Sequence, residues 1–378
     1  MNHRRSFIKS AIGVSAGILT SSQLSGNAFS PLSLPRAGKR QTPRIRFSVI
    51  GLNHGHIYSQ VNCVLGGGGE LVSFHAKEDN LAAEFGKRFP QAKRVSTEAE
   101  ILEDSSIQLV VSASIPHERA ALAIRVMEHG KDFMIDKPAV ISLQQLITVR
   151  IAQKKSKRIY SVCYSERLLN QAMVKAGELV QAGAIGKVIQ TIGIGPHRLN
   201  PATRPDWFFD KSRFGGIICD IGSHQFDQFL FYTGSTSAKI LASQAGNVHH
   251  QKYKGFEDFG DVLVQGNRGS GYFRVDWFTP NGVQTGNDRR NTILGTDGYI
   301  EVRQNIDIAG RGGGSHLFLV DQKEAKYFDC KDVDLTYGRQ LVDDIVNRTE
   351  TAMTQEHCFL ATELSVLAQK DATRMVKI

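Results

Sequence analysis

Asp220, His224 and Asp227 stand at i, i+4 and i+7, so on a helix they share one face. They close the run Gly215-Gly216-Ile217-Ile218-Cys219-Asp220-Ile221-Gly222-Ser223-His224-Gln225-Phe226-Asp227. An ordinary core helix fills such a face with apolar side chains, and this one is acidic, imidazole, acidic. Far upstream, Asp136-Lys137-Pro138 supplies a lysine. A lysine, an aspartate and a histidine gathered around one substrate oxygen make an acid–base set for chemistry at an alcohol carbon. Singly, each has a plainer use: a solvated lysine, a capping aspartate, a core histidine. Their ordered joint occurrence carries the functional reading.

The elements that must position these residues begin near residue 44. Arg46–Ile50 is a short β-rich run that stops at Gly51-Leu52-Asn53-His54-Gly55-His56. A helix-like segment to Leu65, a glycine turn and a second strand from Glu70 follow. This βαβ opening places Gly51, Asn53, His54, Gly55 and His56 where a pyrophosphate meets a helix N-terminus. In a G-x-G-x-x-G register the second glycine is Asn53 and the third is His56. Asparagine tolerates left-handed backbone, so the tight turn survives. The second strand ends without the acid expected on the adenosine ribose, and Lys77 could approach a 2′-phosphate there. The choice between NAD and NADP stays open. Gln108–Ser114 reads as a buried parallel strand ending at Ile115-Pro116-His117, which puts Ser114, Pro116 and His117 beside the cofactor. The next strand ends at Asp136-Lys137. Strand C-terminal ends are the ligand side of a doubly wound sheet.

Composition narrows the function classes. At 378 residues the chain suits two domains. The formal charge is +9, from 46 Lys and Arg against 37 Asp and Glu. Residues 1–46 hold eight of those bases and no acid, so the remainder carries 9 − 8 = +1 and no field for nucleic acid. The five cysteines form no CxxC and no metal spacing, so neither a disulfide framework nor a metal site is expected.

The first residues read as a leader. His3-Arg4-Arg5-Ser6-Phe7-Ile8-Lys9 precedes a weakly apolar segment, Ala11–Thr20, and a small-residue exit near Ala28, the plan of an export signal. The paired arginines resemble a twin-arginine signal, the route for proteins exported already folded. The apolar run is too short for a permanent anchor. The expected organisation is a signal peptide at 1–28, a linker at 29–43, a Rossmann domain at 44–163 and a second domain at 164–378. Val333–Arg348 and Glu356–Arg374 read as closing helices.

Four ordered blocks resemble the glucose–fructose oxidoreductase and inositol dehydrogenase family, Gfo/Idh/MocA. They are the glycine turn at 46–56, Ser112–His117, Asp136-Lys137-Pro138, and Gly215-Gly216 through Asp220, His224 and Asp227. Ala182–Val188 and Arg204-Pro205-Asp206-Trp207 are softer matches. The resemblance implies an N-terminal Rossmann dinucleotide-binding domain plus a C-terminal α+β domain built on a large, mostly antiparallel open sheet. It implies an NAD(P)-dependent transfer of hydride to or from a secondary hydroxyl carbon of a sugar or polyol. Lys137 belongs to the family's Glu-Lys-Pro motif, here Asp-Lys-Pro, so Asp136 has a shorter reach toward the nicotinamide. His224 is then the base, Lys137 steadies the alkoxide, and Asp220 orients the substrate or tunes His224. Arg167, His197, Arg198 and Trp207 are candidates for the sugar pocket, Tyr164 for a second proton donor, and Asp227 for a brace. Export without free NAD(P) implies a tightly held cofactor. A redox-neutral glycoside cleavage through a transient keto-sugar is the alternative, and a non-catalytic sugar-binding homologue a third reading. A homo-oligomer, dimer or tetramer, formed through the open sheet is expected.

Overall fold

The computed structural model describes residues 43–375, so the expected leader and nearly all of the linker lie outside the described residues. Among the described residues no helix is long and apolar enough to cross a membrane.

The first half alternates strand and helix: β1 (Ile45–Ile50), α1 (Ile57–Gly66), β2 (Gly69–His75), α2 (Asp79–Arg88), β3 (Lys93–Arg94), α3 (Ala99–Leu102), β4 (Leu109–Ser112), α4 (Arg119–Glu128), β5 (Asp132–Asp136), α5 (Leu143–Ser156) and β6 (Tyr160–Cys163). The strands form one parallel sheet in the order β3-β2-β1-β4-β5-β6. β4 and β5 are buried along their whole length, which is why their centres are apolar on both faces rather than alternating. The order reverses between β1 and β4, and the crevice at the C-terminal ends of those strands is where such sheets take ligands.

The second half opens with α6 (Ser165–Leu168), α7 (Gln171–Gln181), β7 (Val188–Pro196), α8 (Lys211–Phe214), α9 (Ile217–Asp220) and α10 (Gly222–Thr233). Then come β8 (Ala238–Gly246), β9 (Phe259–Gly266), β10 (Ser270–Asp276), β11 (Arg290–Gly295), β12 (Gly298–Arg303), β13 (His316–Asp321) and β14 (Ala325–Asp329). The chain closes with α11 (Tyr337–Asn347), α12 (Gln355–Lys370) and β15 (Thr373–Arg374). Nine strands order as β14-β13-β12-β11-β7-β10-β9-β8-β15. The pairs β7–β10 and β8–β15 are parallel and the others antiparallel. Helix α10 packs on β7 and β10. The opposite face keeps Ile192, Leu263, Leu294 and Tyr299 more than a third exposed.

Two devices set α9 and α10 against the parallel sheet. Gly215 and Gly216 both take positive φ (94° and 98°), and a Cβ on Gly216 would lie 2.3 Å from the Gln369 side chain. Only glycine allows that approach, and it lets Gln369 Oε1 accept the Ile218 N–H at 2.8 Å. The closing helices then dock on the first half, α11 against α1 and α12 against α5 and β6. Arg348, just past α11, forks both nitrogens onto the buried Asp132 carboxylate at 2.8 and 2.6 Å.

Candidate active site

The crevice side of the parallel sheet starts at Gly51. Its φ is +87°, and a Cβ there would sit 2.7 Å from Ser114 Cβ. The β1 turn and the β4 end therefore close on each other at glycine-only distance. His56 precedes α1 without side-chain capping, and the first turn of α1 holds no acid, so that N-terminus is open to a phosphate. Beside the glycine turn lies a cavity of about 300 Å³ bordered by Gly51, Asn53, Ser114 and His117. Ser114 Oγ and His117 Nδ1 are buried without a partner among the described residues. A glycine cradle, an open helix end and orphaned polar atoms fit a dinucleotide. Pro116 opens the short helical turn that carries His117.

Glu78 went unread in the sequence and also borders this cavity. β2 ends at His75 and the chain folds back, so that Asn53 Nδ2 donates to Glu78 Oε1 at 2.7 Å. An acid therefore does border this cavity, three residues beyond the strand. Lys77, the expected 2′-phosphate contact, is more than two-thirds exposed with its nearest carboxylate, Glu118, at 3.9 Å.

Asp136 sits at the head of the crevice, almost fully buried. His54 and His56 turn inward onto it, at 3.3 and 2.9 Å, and Arg119 stands 3.5 Å away. Burial alone would raise the Asp136 carboxyl, but His56, His54 and Arg119 hold it well below the usual carboxylate range. The two histidines and Asp136 have ligand atoms within 4.8 Å of one another, and the Arg119 guanidinium already neutralises that carboxylate. Gly55, between them, meets no atom within 4 Å of its Cβ position.

One residue on, Lys137 Nζ donates to Asp220 Oδ1 at 2.7 Å, with only 7% and 13% of the two side chains exposed. His224 is buried, with Nδ1 unpartnered. Burial pushes its imidazole well below the ordinary range, and the Lys137 charge pushes the same way. The structure thus brings Lys137, Asp220 and His224 to one place and keeps the imidazole neutral. Asp227, one turn further on, accepts two bonds from Arg167 at 2.7 Å and one from His357 at 2.8 Å. Burial would raise its carboxyl, yet Arg167 and His357 hold it at about 2. Asp227 is a brace.

Arg167, expected in the sugar pocket, is spent on that brace and lies over the Phe231 ring. Tyr164 is corrected as a proton donor: its hydroxyl is buried against Thr362 Oγ1 at 3.2 Å, and its ring packs T-shaped against His224. Trp207 is buried against Phe208. Arg198 donates to the carbonyls of Pro280 and Val283, holding down the loop after β10. His197 does face the site, 3.7 Å from the buried Glu166 carboxylate, which Arg289 also meets at 3.1 Å. Burial takes His197 down to about 3. Glu166, Arg289 and Glu78 carried no motif in the sequence; only the fold assembles them.

Three buried histidines held below 6.5 have a stability consequence. His54, His197 and His224 stay neutral in the fold, whereas the unfolded chain takes up their protons near pH 6.5. Their contribution is complete above that pH and is lost as pH falls toward the folded pKa values. Each group costs up to about 1.4 kcal/mol per pH unit in that window. Urea midpoints are expected to fall steeply between pH 7 and 5, and a flat profile would contradict this neutral burial.

The comparisons with known proteins agree with this geometry. Residues 45–164 match the profile of an oxidoreductase family with an NAD-binding Rossmann fold, and residues 173–301 match the GFO/IDH/MocA C-terminal domain. The scyllo-inositol 2-dehydrogenase (NAD(+)) of Bacillus subtilis (strain 168) is 25% identical over 291 residues, covering 74% of this chain and 80% of that protein. A crystal structure from Erwinia carotovora atroseptica SCRI1043, described as an oxidoreductase, superposes with a TM-score of 0.85 at 43% identity, over 88% of this chain and all of that one. A levoglucosan dehydrogenase solved with NADH and levoglucosan gives a TM-score of 0.69 at 18% identity, over 86% of this chain and 95% of that one, and so shares the fold.

Proposed function

This chain belongs to the Gfo/Idh/MocA oxidoreductases, NAD(P)-dependent enzymes acting on CH–OH groups, and on that premise we propose that it is an exported sugar or polyol dehydrogenase with a retained cofactor. The observation that carries this reading is the buried Lys137–Asp220 pair beside a neutral His224, one residue past the end of β5. Gly51, Asn53, the α1 N-terminus, Ser114 and His117 would hold the dinucleotide, with Asp136 and its two histidines at the nicotinamide end. When bound, it supplies the hydride acceptor at C4 of its nicotinamide. His224 takes the proton from the substrate hydroxyl. Lys137, held in place by its hydrogen bond to Asp220, hydrogen-bonds the same oxygen as negative charge develops there. Burial keeps His224 neutral and so able to accept that proton.

The twin-arginine-like start supports export in folded form, and export supports a cofactor loaded before departure. Protein purified from the secreted fraction is expected to release one nucleotide per chain on denaturation, read by mass spectrometry; none would overturn the retained-cofactor reading. Glu78 favours NAD, because its carboxylate at the rim of this cavity would meet the adenosine ribose and repel a 2′-phosphate. In Glu78→Gln the preference for NAD over NADP is expected to fall by about tenfold, the weight of one charge contact. An unchanged ratio would remove Glu78 from that role. The apolar stripe on the open sheet face supports a homo-oligomer, to be measured by light scattering.

A further inference from the structure

Of the cations around Lys137, only Arg198 and Arg204 meet no carboxylate among the described residues, and Arg198 is spent on the carbonyls of Pro280 and Val283. Lys137 meets Asp220 at 2.7 Å, Arg289 meets Glu166 at 3.1 Å, Arg119 meets Asp136 at 3.5 Å and Arg167 meets Asp227 at 2.7 Å. With His197 and His224 neutral, these pairs cancel. Arg204 has no carboxylate within 4 Å among the described residues. It is nonetheless fixed in place. Its Nε donates to Leu199 O at 3.0 Å, its Nη2 reaches Arg198 O at 3.5 Å, and its guanidinium lies over the rings of Phe208 (4.6 Å) and Trp277 (5.1 Å).

The surroundings place Arg204 near the residues gathered at Lys137. Trp277 lies 5.4 Å from His197 ring to ring. Burial lowers the Arg204 guanidinium below its usual range, and the charge that opposes this is Asp220, the partner of Lys137. The Trp277 indole N–H is itself buried without an acceptor among the described residues. A guanidinium taken out of water without a counter-ion is costly, and stacking on two aromatic faces offsets only part of that cost. The cost is recovered when a ligand brings the missing negative charge.

We propose that Arg204 anchors a carboxylate on the substrate, so that the enzyme acts on a sugar acid, a uronate or an aldonate, rather than on a neutral sugar. The planar fork of arginine matches a carboxylate edge to edge, with Nη1 and the second Nη2 proton free to take it. Asp220 and Lys137 then meet the reacting hydroxyl a few carbons along the same molecule. This deepens the dehydrogenase reading and rests on it.

The test uses the full chain with its bound nucleotide. D-glucuronate, D-galacturonate and D-gluconate are each compared with the neutral D-glucose, D-galactose and D-glucitol, with D-glucose 6-phosphate as the phosphate arm. Reduction of the bound nucleotide is followed by absorbance, and binding by calorimetry. At least one acid is expected to exceed its neutral partner about a hundredfold in kcat/KM, the span of a charge-assisted bidentate contact. In Arg204→Gln that acid-over-neutral ratio should collapse, mainly through KM, with Arg204→Lys between. A neutral sugar turned over as well as its acid, a preference for the phosphate, or an unchanged ratio in Arg204→Gln would overturn the proposal while leaving the dehydrogenase intact. If no compound reduces the nucleotide, the dehydrogenase reading fails, and calorimetry still decides on Arg204. Acid binding lost in Arg204→Gln supports it, and equal affinity for acid and neutral sugar refutes it.

Discussion

Lys137→Met is expected to lower turnover by roughly a thousandfold, the usual worth of removing one donor from a developing oxyanion together with its share of proton management. The methionine preserves the length and burial of the side chain, so the crevice keeps its shape. What disappears is the ammonium 2.7 Å from Asp220 Oδ1. Asp220 is then left as a nearly buried carboxylate with no cation at contact distance, which repels an alkoxide instead of supporting one. The effect should fall on kcat, because the substrate oxygen gains its charge only in the transition state. Bound nucleotide should be retained, since the glycine turn and Ser114 are untouched. Turnover within tenfold of the parent would remove Lys137 from the chemistry.

His224→Asn is expected to cost about a hundredfold in kcat, the lower part of the range for general acid–base groups. Its distinctive signature is in the pH profile. Because burial and Lys137 keep the imidazole neutral far below its ordinary range, kcat/KM of the parent should show no limb near pH 6.5. A loss of activity centred there would mean that His224 titrates freely. The protein would then be wrong in its electrostatics, even if His224 were essential.

The parallel half of the molecule was legible because its strands are covered on both faces. Leu109–Ser112 and Asp132–Asp136 are apolar at their centres for that reason, and the strand end carrying Lys137 followed from them. Asp220 and His224 stood out because polar groups interrupted a helix face that should have been apolar. The same spacing rule put Asp227 beside them, and only the structure shows it bound to Arg167, 60 residues back, and to His357, 130 residues on. Arg167 and Tyr164 were read as substrate contacts for want of that information; the partner that occupies the Tyr164 hydroxyl lies 198 residues away. Glu78 escaped notice because its approach to the cavity depends on Asn53 and not on strand period. Arg204 lay within a motif match, but its isolation as a charge is visible only when every neighbour's partner is known. Local periodicity therefore carried the scaffold and two of the three polar groups at the centre, while pairing across the fold decided which charges remain free for a substrate.

The central claim is that hydride passes between a substrate carbinol carbon and a nicotinamide held by this chain. The direct measurement is to add sugar acids and polyols deuterated at each carbinol carbon to the purified protein, with no added NAD, and to read the released nucleotide by mass spectrometry. The account predicts one deuterium gained at the nicotinamide C4 from a single labelled position, and none in Lys137→Met on the same timescale. Substrate turnover with no label in the nucleotide, or equal labelling in Lys137→Met, would contradict it.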